Sequence, residues 1–332
     1  EEISIEIKNS IIGSNYVGGL VGYAKATNIN SIIYISSSSF TIDGNTYVGG
    51  LAGYASGIKI SDCSNEGTEI VNYTKDYNEV GLVNLSNYIK ENEENYAYIG
   101  GYAGYVGSLE GLENKLNISY DGEGGYIGGL AGYLENTANG CSNTANVSAL
   151  KATSVGGIVG YINNNAKNGQ YSFTNNVNIG KIIGHTKVGG IFGEIKNNVS
   201  TDDSWVNYVY TVDINNCTNS GEIIAKDGQF AGGIVGIISI YCKATWYTWG
   251  ANSTAQAKLV MSQCINSGNV TSTKYSGGIV GYASANDSSS LISGCNNSGD
   301  VEAKDGNTLN SDAGQITGGL DNVTQKDNTI KE

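Results

Sequence analysis

The stretch YVGGLVGY at residues 16–23 returns as YVGGLAGY at 47–54, and this repetition decides the fold. Further copies stand at 98 (YIGGYAGY), 126 (YIGGLAGY), 154 (SVGGIVGY), 187 (KVGGIFGE), 230 (FAGGIVGI) and 275 (YSGGIVGY). Measured between first glycines, the copies lie 31, 51, 28, 28, 33, 43 and 45 residues apart. A degraded copy, NEVGLVNL at 78–85, divides the longest gap, and a partial copy, ITGGLDN, begins at 316. The shortest unit is about three short strands with their turns, the length that one coil of a parallel β-solenoid consumes. Longer gaps then read as loops inserted at one side of a constant coil.

A second element recurs between the octets: CSNEGTEI at 63, CSNTANVS at 141, FTNNVNIG at 173, CTNSGEII at 217, CINSGNVT at 264 and CNNSGDVE at 295, with YISSSSFT at 34 as a looser copy. From it to the next glycine pair is 15 residues at Tyr34, Cys141 and Cys217, 16 at Phe173 and 13 at Cys264. Near-constant spacing fixes the register between two strands of one coil. In strands stacked about 4.8 Å apart, each side chain lies over its own copy, so glycine marks places where no side chain fits. Gly18 and Gly19 are expected at a sharp corner or where two walls approach, with Leu20 and its isoleucine equivalents filling the interior. Asn65, Asn143, Asn175, Asn219, Asn266 and Asn297 are expected to form a ladder of amides that pins the register.

The pairing of a C-x-N-x-G-like strand with V-G-G-I-V-G-Y resembles the GLUG repeat, from about residue 16 to 320. That resemblance implies a β-helical stalk or adhesive module of large secreted or surface-attached bacterial and archaeal proteins, including non-catalytic parts of some immunoglobulin A peptidases. It carries over no catalytic residue. With the preference for right-handed parallel crossovers, it gives an all-β, right-handed parallel β-helix (β-solenoid) of about nine to ten coils, roughly 45 Å long. The expected layout is a single domain over residues 1–332, with insertions at about 195–213 and 238–260. Open solenoid ends present unpaired strands, so end-to-end stacking into a homopolymer is expected.

Composition narrows the partners. The chain has 332 residues and a formal net charge of -13, and its 18 basic residues are all lysine. Neither a basic face nor arginine forks are available for phosphates, so nucleic acid is excluded as a partner. Proline is absent and glycine numbers 48, yet apolar residues make up 39%, too many for a disordered chain. No apolar run is long enough to span a bilayer, and the opening EEISIEIKNS lacks the pattern of a signal peptide, so any leader or anchor lies elsewhere.

Five of six cysteines (Cys63, Cys141, Cys217, Cys264, Cys295) share one repeat position, where other copies carry Phe173 or Tyr34, which argues for buried small hydrophobes. Cys242 lies in an insertion. With no CxxC pair and a lone His185, read as a turn residue, no metal, cofactor or nucleophilic site is expected. Asp202, Asp203, Glu91, Glu93 and Glu94 read as solvated charge runs.

All three tryptophans fall in two consecutive insertions: Trp205, with Tyr208 and Tyr210, then Trp246 and Trp249, with Tyr241 and Tyr247. Both insertions leave their coils at the same point, so they should emerge side by side. Such an aromatic cluster suits a glycan ring or another protein's surface; the bland alternative is a hairpin folded back over the solenoid wall. The expectation is therefore a non-enzymatic structural or adhesive protein of the cell surface, secreted or extracellular. The alternative is a polysaccharide lyase or hydrolase on a β-helix scaffold.

Overall fold

In the computed structural model the octets lie directly on one another. Val17 and Gly18 pair with Val48 and Gly49, these with Ile99 and Gly100, and the same register runs on through Ile127, Val155, Val188, Ala231 and Ser276. The structure describes residues 11–13, 15–25, 41–44, 46–61, 63–65, 69–72, 96–163, 166, 168–201, 207–244, 254–304 and 315–330.

Each coil contributes to four parallel sheets: the coil of Tyr98 has four short strands and that of Tyr126 five, where spacing alone suggested three. The octet's opening strands form an eight-stranded sheet; after the glycine pair the chain enters a fifteen-stranded sheet. The asparagine element forms a second eight-stranded sheet, and a nine-stranded sheet returns the chain to the next octet. The molecule is thus an all-β parallel solenoid.

The glycine pair is where the chain changes cores. Val155 belongs to one hydrophobic core and Ile158 to the other, with Gly156 and Gly157 between them. On the opposite wall Cys141 lies in the second core and Val147 in the first, with Asn143 between. At this seam the walls touch. A Cβ on Gly157 would stand 2.1 Å from the Gly190 carbonyl oxygen and 2.6 Å from Asn178 Oδ1; on Gly190 it would stand 2.0 Å from the Gly233 oxygen and 2.6 Å from Asn219 Cγ. No real side chain tolerates such distances, so both expected roles of the glycines, corner and wall contact, are met at one point.

The asparagine ladder is continuous. Nδ2 of Asn114 donates to Oδ1 of Asn143, and the pattern repeats through Asn178, Asn219, Asn266 and Asn297 at 2.7–2.8 Å. Each amide also donates to a carbonyl two residues on in its own strand, as Asn178 does to Gly180 at 2.8 Å. The buried amides are therefore satisfied by their own copies, which removes the cost of burying them.

Two expectations are corrected here. Asn175 is not a rung of the ladder: it sits at φ 56 in a turn, and Asn178 takes the ladder position. The cysteine position of that coil is held by Asn176, not Phe173, which pairs instead with Ala138 and Ile214. A one-coil shift of three residues in FTNNVNIG hid this, and the corrected spacing to Gly189 equals that from Cys264 to Gly277. The coil LENKLNIS carries Leu112 in place of cysteine, and Asn114 is its ladder residue. The degraded copy at 78–85 lies outside the described residues; the octet strands on either side of it pair directly, Tyr47 with Tyr98. The nine-stranded sheet takes one strand from each of nine coils, and the partial octet at 316 stacks on the last full one, Thr317 against Val280 and Leu320 against Ala283, as the expected nine to ten coils require. Tyr34 also lies outside the described residues.

The first and last tyrosines of the octets form two adjoining columns. Tyr16, Tyr47 and Tyr98 stack at 4.9 and 4.8 Å between ring centroids, and Tyr23, Tyr54, Tyr105 and Tyr133 at 4.9, 4.5 and 4.4 Å. The columns meet edge to face, as Tyr47 does Tyr54 at 88°. In KVGGIFGE the same two positions hold Lys187 and Glu194, which pair at 2.6 Å with Glu194 buried.

Candidate functional site: the paired arms

The arms grow from one strand of the fifteen-stranded sheet. Ala103–Glu110 is unbroken and pairs with two shorter strands of the next coil, Ala131–Leu134 and Ala138–Asn139. In each later coil the chain leaves between those halves. By the coil of Lys187 the excursion has become an outbound strand, Phe192–Thr201, and a return strand, Asn207–Asn215. The coil of Phe230 repeats it with Val235–Ala244 and Thr254–Ser262.

The two outbound strands pair in parallel, Ile195 with Ile238 through to Thr201 with Ala244, and the two return strands pair from Asn207 with Thr254 to Asn215 with Ser262. Strand alternation then sorts the side chains. Val199, Ile240 and Cys242 from the outbound layer and Tyr210, Val212, Ala257 and Leu259 from the return layer are buried in one continuous core. Asn198, Ser200, Tyr241 and Lys243 face outward from one layer, and Val209 and Gln256 from the other. The excursion is thus a two-layered fin that prolongs the solenoid interior, not a hairpin laid over its wall.

Short loops of the neighbouring coils brace the fin. Asn286 Nδ2 donates to the carbonyl of Cys242 at 2.7 Å and its Oδ1 accepts from the Ala257 amide at 2.7 Å, tying the two layers together. On the other side Asn197 Nδ2 donates to the Ala166 carbonyl at 3.0 Å, and the Val209 amide donates to Asn168 Oδ1 at 3.2 Å. These side chains satisfy backbone groups that the shorter neighbouring strands leave without a ladder partner.

The expected site residues divide three ways. Tyr210 is fully buried between the layers and Tyr208 packs half-buried against the same core. Tyr241 is exposed on the outer face. Trp205, Trp246, Tyr247 and Trp249 lie outside the described residues, but the strand ends that flank them are paired, Thr201 with Ala244 and Asn207 with Thr254. The side-by-side emergence is therefore met at the bases of both loops. Asp202, Asp203, Glu91, Glu93 and Glu94 also lie outside the described residues. Sequence reasoning missed Asn286, whose bracing role depends on the length of a neighbouring strand.

Other reactive groups are placed as structural ones. All six cysteines are buried free thiols. Burial pushes the Cys141 thiol up to about 11, and hydrogen bonds with Cys217 and Cys295, then burial, hold Cys264 well above the usual range. Neither forms thiolate near neutrality. His185 stands on the bend between Ile182–Gly184 and Lys187–Gly189. Among the described residues no group of three or more His, Cys, Asp or Glu could hold a metal, and no helix is long and apolar enough to cross a membrane.

A family model, the GLUG motif, matches residues 44–71. The matched segment is one coil of the solenoid, running through Tyr47–Gly49, Ala52–Ser61 and Ser64–Asn65 into Glu69–Asn72. No curated protein and no solved structure matches the chain.

Proposed function

We propose that this GLUG-motif chain is a structural and adhesive extracellular protein, a rigid rod that presents the tryptophan-bearing loops of its fin to a glycan or host-surface ligand at a cell surface. One observation carries the reading: two insertions pair residue for residue along both layers, so their loops share a rigid base one coil apart. Binding groups held on strands keep their geometry better than groups on free loops. Tryptophan supplies large flat contact area at low conformational cost. Stacking of coils between copies would lengthen the rod into a filament, through edge strands such as Val17–Gly18 and Tyr275–Gly277 that have one ladder partner each among the described residues.

A glycan array tests the adhesive role. Binding by the native chain, lost when Trp246 and Trp249 are both changed to Ala while the thermal transition stays in place, is the expected outcome. Turnover of an acidic or neutral polysaccharide, abolished by Asp202→Asn or Asp203→Asn, would replace this reading with an enzymatic one. Negative-stain images of the purified protein distinguish single rods from filaments.

A further inference from the structure

The tyrosine columns hold phenols in an arrangement that neither the fold nor the fin requires. Tyr23, Tyr54, Tyr105, Tyr133 and Tyr161 occupy one register position on successive coils. Their rings are nearly parallel at first, 4° between Tyr23 and Tyr54 and 6° between Tyr105 and Tyr133, where the centroids are 4.4 Å apart. Tyr23, at one end, is 55% exposed. Within the column Tyr105 Oη donates to Glu135 Oε1 at 2.9 Å, and that carboxylate is fixed by Ser56 Oγ at 2.7 Å and the Gly57 amide at 2.8 Å.

A phenol gives up an electron readily only if its proton has somewhere to go, and Glu135 is a placed acceptor for the proton of Tyr105. The stack supplies the second requirement, a neighbouring phenol ring in contact along its whole face. We propose that these columns are sites of oxidative cross-linking, in which a one-electron oxidant joins tyrosines of successive coils as dityrosine, with Tyr105 and Tyr133 the favoured pair. Each tyrosine loses one electron and its phenolic proton. The two radicals form a carbon–carbon bond between positions ortho to the hydroxyls, and the ring hydrogens displaced there move to the oxygens, restoring both phenols. Hydrogen peroxide acting through a haem peroxidase accepts the two electrons and two protons and leaves as two waters. The oxidant needs to reach only exposed Tyr23, because the electron vacancy passes along the stacked rings. Such bonds would staple coil to coil covalently where hydrogen bonds and packing now hold them, and the columns stand apart from the fin, so the outcome is independent of any ligand the fin takes.

The test treats the full chain with peroxidase and hydrogen peroxide at low protein concentration, then maps cross-linked peptides by mass spectrometry. The expected result is a Tyr105–Tyr133 link within one molecule, its yield per molecule unchanged on dilution. Tyr105→Phe should abolish that link, Tyr133→Phe should do the same, and Glu135→Gln should slow its formation. Links that disappear on dilution, a yield at the tilted pair Tyr171 and Tyr210 equal to that in the columns, or no dityrosine at all would overturn the proposal.

Discussion

The coils of Tyr98 and Tyr126 and those of Lys187 and Phe230 are built from the same octet, the same glycine–asparagine seam and the same four sheets, yet they differ at two places. In the first pair the octet's end positions are all tyrosines, Tyr98 against Tyr126 tilted and Tyr105 against Tyr133 stacked, and the excursion from the fifteen-stranded sheet is absent or short. In the second pair those positions hold Lys187 with Glu194 and Phe230 with Ile237, and the excursion becomes the fin. At the seam the glycine pair and the ladder asparagine lie over their own copies and against another wall and stay the same from coil to coil, because a change there strains two coils at once. The corner where the chain leaves the stack faces water and absorbs insertions at little thermodynamic cost. The solenoid therefore separates what must repeat from what is free to diverge: the fin grows at one such place, and the extra chain between Asn72 and Tyr98 lies at another.

That contrast can be broken most severely at the seam. Gly190→Ala puts a Cβ against the Gly233 carbonyl and Asn219, both backbone-anchored, and should cost more than about 3 kcal/mol in urea unfolding. Gly111→Ala, at φ +65 but facing open space, should cost only about 1–2 kcal/mol. The next effect sharpens the difference between the two octet types. Lys187→Ala leaves the Glu194 carboxylate buried without its ammonium and should cost about 2–3 kcal/mol, less than a fully buried pair because Lys187 is partly exposed. Replacing Lys187 and Glu194 together by Tyr restores the tyrosine pattern and should return stability to within about 1 kcal/mol of the native chain. Asn286→Ala removes the brace of the fin alone, lowering stability by about 1–2 kcal/mol and raising hydrogen exchange at the Cys242 and Ala257 amides, with the Tyr98 and Tyr126 coils unaffected.

The smallest effect is confined to alkaline solution. Burial, then the carboxylates of Asp121 and Glu123, raises the Tyr120 hydroxyl to about 12, and burial likewise raises Tyr54, Tyr105, Tyr126, Tyr133 and Tyr161. A raised folded-state value means the folded chain keeps protons that the unfolded chain has lost. The contribution is complete below about pH 10, the ordinary tyrosine value, and falls away as pH rises through 12. Phenolate absorbance followed alongside circular dichroism should show ionisation and loss of strand signal moving together in this range.

How much was legible depended on how strictly a position repeats. The octet glycines, the interior Leu and Ile positions, the buried thiols and most of the asparagine ladder could be read because identical neighbours force identical residues. Asn176 and Asn178 were misplaced because FTNNVNIG offers several asparagines to one position, and only strand pairing chooses among them. Lys187 and Glu194 left a visible trace, K and E where other octets carry Y, but their partnership is a matter of distance. The common origin of the two long insertions was legible from their equal offset after the octets, whereas their inward and outward faces were not.

The sequence alone determined a parallel stack with glycine corners, since no other arrangement explains eight glycine pairs at near-constant distance from an asparagine element. Only the tertiary structure decided that the seam divides two cores, that the insertions stand out as a fin with Tyr210 inside and Tyr241 outside, and that Asn286 ties its layers together. The reason is physical: repetition encodes what each coil demands of its copy, while packing between different walls depends on distances that no single coil contains.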